Sequence, residues 1–421
     1  MHSFQSIFLA ALILAFGLKL WLLLRQMRHV WEHRTAPPAV FAARITLEEH
    51  RKAADYTLTK ARLGLLHLVV ETGLLLAFTL GGGLQWLNDL LLPQLSPLFA
   101  GTTLLLALFL IGALVELPLN LYQQFGIEAR FGFNRQTAGG FVGDLVKQTL
   151  LGLVIGGPLI LLVLWLMGVM GEAWWIWVWG VWMGFNLLVL MLYPTVIAPL
   201  FNKFTPLEDS ALKARIEALL RRAGFTASGV FVMDGSRRSS HGNAYFTGLG
   251  KNKRIVFFDT LLKQLNPEQI EAVLAHELGH FKHHHIVKRI ALMFVLSLGL
   301  LAVLAWLKQA PWFYAGLGVA TPSDAAALAL FFLALPVFLF PVTPLMSLYS
   351  RKHEFEADAF AANHSEPEHL ITALVRLYRD NAATLTPDPV YSLFYDSHPK
   401  AVERIAKLEY YGQAITAPQR A

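Results

Sequence analysis

The sequence predicts a polytopic α-helical membrane protein that carries a small α+β unit on one side of the bilayer. Seven long apolar segments, a charge content far below that of soluble domains, and a strict alternation of Lys/Arg between successive connections predict it. The chain has 421 residues, 55% of them hydrophobic and only 15% charged, against about 25% charged in soluble domains. The apolar segments fall near 3–24, 63–87, 98–121, 148–170, 174–198, 289–310 and 324–346. Each approaches the roughly 20 residues a helix needs to cross the hydrocarbon. Trp174, Trp175, Trp306, Trp312 and Tyr349 stand at segment ends, as interfacial aromatics do.

The first segment resembles a signal peptide in hydropathy. No Lys or Arg precedes Lys19, however, and Arg25 and Arg28 follow the segment. A retained anchor with its N-terminus outside is expected. The connections at 25–62, 122–147 and 199–288 and the tail after 346 hold nearly all the Lys and Arg, whereas those at 93–97, 171–173 and 311–323 hold none. The positive-inside rule then places the C-terminus in the cytoplasm. The net charge of +6 is an orientation signal with scope for anionic-lipid contact, not a sign of nucleic-acid binding. Cysteine is absent, so a metal would be held by His and carboxylates.

Two stretches on the predicted cytoplasmic side, about 199–288 and 350–421, are expected to pack as one unit. Ser210–Phe225 has helical spacing with a Gly near its end, 229–234 forms a strand, and 243–259 forms a hairpin around Gly250-Lys251-Asn252-Lys253. The next helix has Asn266 as N-cap, Pro267 at its first position and Gln269 to complete a capping box.

That helix carries His276-Glu277-Leu278-Gly279-His280. Positions i and i+4 share one helix face, so both imidazoles can reach one cation. Glu277 lies about 100° round the helix, placed to take a proton from a water the metal acidifies. A catalytic zinc needs a third protein ligand and one open position. Glu354, on the expected continuation of the seventh apolar helix, can complete a His-His-Glu set. Asp358, four residues on, can hold a ligand imidazole from behind, while Glu356 points elsewhere. The run His283-His284-His285 is read as interfacial rather than as a second metal site. His398 is, on the residues alone, a loop histidine.

The segments YQQFGIEARFGFNRQT (122–137), YPTVIAPLFNKFTPLED (193–209), SSHGNAYFTGLGKNKRIVFFDTLL (239–262), HELGHFKHHH (276–285), SRKHEFEADAFA (350–361) and DSHPKAVERI (396–405) together resemble the integral-membrane zinc CAAX prenyl endopeptidases of type I, in a bacterial-looking version. The resemblance implies seven transmembrane helices around a large chamber, with a small α+β zinc metallopeptidase domain on the cytoplasmic side. It implies one Zn2+ on His276, His280 and Glu354, Glu277 as catalytic base, and Asp358 and His398 as further catalytic residues. Asn243, Ala244 and Tyr245 would form an edge strand that pairs with an extended substrate. The implied substrate is a peptide or protein ending in a prenylated Cys-a-a-X, from which such enzymes remove the last three residues. The expected division is 1–198, a membrane region of five spans, and 199–421, the peptidase region with two more. Membrane lipids are the other expected partners; no oligomer is implied, and a bacterial source would place the chain in the inner membrane.

Two other functions share some of these features. A membrane-protein quality-control peptidase has the same zinc motif but fewer spans. A transporter or channel suits seven spans, yet Glu71 and Glu116 are the main charges inside them.

Overall fold

The computed structural model describes residues 3–225, 229–247 and 254–416. Among the described residues, seven helices are long and apolar enough to cross a membrane: Ser3–Glu32, Leu47–Phe78, Pro97–Glu128, Ala138–Val169, Gly171–Phe201, His285–Lys308 and Asp324–His364. Large apolar side chains such as Leu114, Val154, Trp177 and Val295 stay exposed on their outer faces. So extensive an apolar surface calls for lipid around it.

The second span is displaced from its expected place. It begins at Leu47, where Thr46 and Glu49 form a capping box, and stops at Phe78 rather than near 87. Gly81-Gly82-Gly83 follows, with Gly82 in the left-handed region at φ 74. Glycine takes that conformation without steric cost, and a short helix, Gly83–Leu91, starts afresh. The third span passes into a π-helical segment, Tyr122–Glu128, just after Pro118. Proline removes one hydrogen bond of the ladder and deflects the helix.

Helix α1 is Ser210–Ala223, α2 is Pro267–Lys282, α3 is His285–Lys308, α4 is Thr343–His364, α5 is Pro367–Asp380 and α6 is Ala401–Thr416. The strands are β1 Phe204–Pro206, β2 Gly229–Met233, β3 Ala244–Thr247 and β4 Arg254–Phe258. They form one sheet in the order β1-β2-β4-β3, with β2 and β4 parallel and the other pairs antiparallel. The expected hairpin is β3–β4; its turn at 250–253 lies outside the described residues.

One apolar core joins both soluble stretches. It contains Val230, Ile255 and Phe257 of the sheet, Ile216 of α1, Leu278 of α2, Phe360 of α4, Leu374 of α5 and Leu408 of α6. A separate core, including Phe8, Leu104, Leu164, Trp174 and Leu330, ties the spans together. The seventh span delivers its polar end to the first core: Asp324–Leu339 turns through a 3-10 segment, Phe340–Val342, directly into α4. Between the third, fourth and fifth spans lies a cavity of about 1040 Å3, lined by Leu117, Gln124, Gln148, Ile155, Phe185 and Arg238 among others.

Candidate metal centre

Helix α2 starts as its sequence requires. Asn266 accepts from the Gln269 N–H at 2.9 Å, and the Gln269 side chain accepts from the Asn266 N–H at 3.0 Å. The fixed start sets the rotation of the helix and hence the face on which His276 and His280 stand. Their Nε2 atoms lie 3.2 Å apart.

Glu354 reaches this pair from α4. Its Oε1 is 3.4 Å from His280 Nε2, and its Oε2 is 3.5 Å from His276 Nε2. The approach depends on Gly279. A Cβ there would stand 2.8 Å from Ala357 Cα and 3.0 Å from the Ala357 carbonyl oxygen, so only glycine lets α2 and α4 close this far. Leucine and glycine between the histidines therefore differ in importance, and the helical period gives no sign of it.

Behind the ligands, His276 Nδ1 is 2.9 Å from Asp358 Oδ1. Asp358 is fully buried and is held at 2.9 and 2.6 Å by the Arg404 guanidinium on α6. Sequence reasoning missed Arg404. Its signal was a cation on an otherwise apolar helix face, between Ala401 and Leu408, in a helix whose Ile405 is also buried.

The donor set fits zinc. His276, His280 and Glu354 each offer one ligand atom within 4.8 Å of the others. Glu354 Oε2 is buried and makes no hydrogen bond, with only the longer approaches of His276 Nε2 at 3.5 Å and Arg404 Nη1 at 3.9 Å; a bound cation would satisfy it directly. Burial alone would lower the His276 pKa, but the Asp358 and Glu354 carboxylates lift it to about 9. Burial and His276 push His280 down to about 3. Without an ion the pair thus carries a single positive charge at neutral pH, on His276, and a bound dication would displace that extra proton.

Glu277 is half-buried on the neighbouring face. Its carboxylate makes no hydrogen bond among the described residues, and burial raises its pKa above the ordinary 4.5. His398 lies in the loop before α6, exposed, with Nε2 3.5 Å from Glu354 Oε1. It also lines a cavity of about 780 Å3 with His241, Tyr378 and Lys60. Strand β3 is an edge of the sheet and packs on α2 through the Phe246 and Phe281 rings, whose centroids are 4.3 Å apart. The exposed Asn243 side chain accepts from the Ala244 N–H at 2.8 Å. Tyr245 is half-buried, with its ring edge-on to Phe258.

The histidine run departs from expectation. Helix α2 ends at Lys282, His284 takes the left-handed conformation at φ 55, and α3 begins at His285. That turn swings His285 out of the interface and into the protein, where it is 1% exposed. Glu356, expected to point away from the ligand face, stands outside the group of His276, His280 and Glu354 and accepts from His285 Nε2 at 2.8 Å.

Residues 26–203 match the CAAX prenyl protease N-terminal family, described as five membrane helices, and residues 206–412 match peptidase family M48. The CAAX prenyl protease 1 homolog of Arabidopsis thaliana is 34% identical over 88% of this chain and 90% of its own length. The chain belongs to peptidase family M48. The CAAX prenyl protease 1 homolog of Homo sapiens is 31% identical over 97% of this chain and 96% of its own. The crystal structure of S. mikatae Ste24p superimposes with a TM-score of 0.90 at 32% identity, over 97% of this chain and all of that one. The M48 chain is thus an integral, multi-pass membrane zinc metalloendopeptidase. Its seven membrane helices and its small sheet-containing peptidase unit share the Ste24p fold.

Proposed function

We propose that this M48 peptidase acts at the cytoplasmic face on polypeptides ending in a prenylated Cys-a-a-X and removes their last three residues. The observation that carries the chemistry is the convergence of His276, His280 and Glu354, with Glu354 Oε2 making no hydrogen bond in a buried site. The names of the relatives support the substrate class, as CAAX prenyl proteases. The side on which the basic connections lie supports the orientation, with the N-terminus outside. We assign the membrane region to 1–198 and the peptidase region to 199–421.

His276, His280 and Glu354 would hold the ion. When bound there, zinc supplies Lewis acidity to the scissile carbonyl and to the attacking water. Glu277 would take the proton from that water and hand it to the leaving amine. Its freedom from other hydrogen bonds and its raised pKa both suit that work. Asp358, braced by Arg404, would accept the Nδ1–H of His276 and so keep the Nε2 lone pair turned to the ion. His398 would donate to the oxygen of the tetrahedral adduct.

Asn243, Ala244 and Tyr245 would present the substrate-pairing edge. The Phe258 N–H donates to the Asn243 carbonyl at 3.0 Å, which fixes the phase of the ladder. Main-chain groups of Ala244 and Phe246 then face the open edge, where an extended peptide can add as a strand.

The test is cleavage of a farnesylated Cys-a-a-X peptide by purified, zinc-loaded enzyme, with release of the tripeptide and loss of the activity on chelation. An intact farnesylated peptide beside efficient cutting of other sequences would remove the substrate assignment.

A further inference from the structure

Directly behind the ligand face of His280 lies a second group of metal-ligand residue types: His285, His353 and Glu356, with one ligand atom each within 4.8 Å of the others. Two features argue against a cation there. The His285 and His353 rings are stacked, with centroids 3.9 Å apart and planes 9° from parallel. An imidazole lone pair lies in its ring plane, and one ion cannot lie in two parallel planes that far apart. His285 has, besides, both nitrogens engaged. Its Nδ1 is 2.9 Å from His280 Nδ1, and its Nε2 is 2.8 Å from Glu356 Oε2.

The proton positions along this chain are forced. An ionised carboxylate only accepts, so His285 Nε2 carries the hydrogen that Glu356 receives. A neutral imidazole bears one N–H, which leaves His285 Nδ1 as an acceptor. His280 must then donate from Nδ1, and its Nε2 is left with a lone pair. That Nε2 is the atom facing His276 Nε2 and Glu354 Oε1. Burial of His285, its stacking on His353 and the edge contact of Tyr349 with His353, centroids 4.3 Å apart, fix the ring plane.

We propose that His285 and Glu356 are positioning residues that lock His280 in its Nδ1–H form, so that its Nε2 stays available to the metal. The inference rests on the reading of His280 as a ligand. The two imidazole ligands are then held by different devices. A buried Asp–Arg pair holds His276, and a His–Glu relay anchored across α3 and α4 holds His280. Glu356 sits near the surface with its side chain 31% exposed, so the relay is open to substitution without cutting the core.

The experiment measures zinc affinity of the full chain by competition with a chelator of known affinity, zinc stoichiometry by metal analysis, and apo-protein unfolding temperature. In the wild type one zinc per chain is expected; two per chain would show that His285, His353 and Glu356 bind their own ion and would overturn the relay. His285→Phe keeps the stacked ring but loses both hydrogen bonds. It is expected to weaken zinc binding by about 10- to 100-fold, the usual effect of removing such a partner, with the apo unfolding temperature unchanged. Glu356→Gln, which keeps an acceptor oxygen and removes the charge, is expected to weaken binding less than His285→Phe, and it remains informative if His285→Phe does not fold. Zinc affinity within twofold of wild type in either variant, or an apo protein destabilised along with its weaker binding, would overturn the proposal. A wild type that binds no zinc would instead sink the reading of His280 as a ligand.

Discussion

Arg404 grips both carboxylate oxygens of Asp358, at 2.6 and 2.9 Å, and its Nη2 lies 3.4 Å from His276 Nδ1. Neither side chain reaches solvent: Asp358 is fully buried and Arg404 is 5% exposed. Breaking a buried pair by removing one partner leaves an uncompensated charge. Arg404→Met is therefore expected to destabilise the protein by about 3–5 kcal/mol and to weaken zinc binding. Unfolding followed with and without zinc checks both effects.

Gly279 sets the spacing of the two ligand-bearing helices. An added methyl at 2.8 Å from Ala357 Cα meets main chain that has nowhere to go. Gly279→Ala should cost about 1–3 kcal/mol in packing strain and move Glu354 away from the histidines. Zinc content of the purified variant is the measurement, and a clear loss of bound metal is expected although no ligand has changed.

Glu277 has a free carboxylate beside the metal site, whereas Asp358 is fully engaged. Glu277→Gln is expected to retain zinc and to lose about 10²- to 10⁴-fold in turnover, the range for removal of a general base. Full activity in a zinc-loaded variant would take Glu277 out of that role.

His398 stands within 3.5 Å of Glu354 but on an exposed loop. His398→Ala should leave stability and zinc content near wild type. Turnover should fall by about 10²-fold, as when one donor to a developing oxyanion is lost, with little change in KM. Steady-state kinetics on one prenylated peptide separates the two constants.

Asp388 ties the first membrane helix to the peptidase unit. It meets Arg25 Nε at 3.0 Å and caps the helix Pro389–Tyr395 by accepting from Val390 and Tyr391 N–H. Burial alone would raise its pKa, yet the Arg25 hydrogen bond and these N–H groups hold it below the usual 3.8. A carboxyl depressed on folding contributes stability above the unfolded value, and that contribution is lost as pH falls through the folded one. Asp388→Ala should cost at least about 1 kcal/mol at neutral pH. The difference from wild type should shrink below about pH 4, as measured by unfolding across pH.

What the sequence could show was local. Runs of apolar residues fix spans, because the bilayer demands about 20 of them. The capping box and the i, i+4 histidines fix α2, because a helix repeats every 3.6 residues. The second span is displaced at both ends: it starts at the Thr46–Glu49 capping box rather than near 63, and three glycines follow the helix that hydropathy alone would continue. What only the tertiary structure decided is which distant groups meet. Asp358 finds Arg404, His280 finds His285 and Glu356, and Gly279 meets Ala357, because four separately patterned helices, α2, α3, α4 and α6, pack together. Sequence periodicity specifies the face a helix turns inward. The partner on the other side of that face is set by packing, and the chemistry of this site lies in those partnerships.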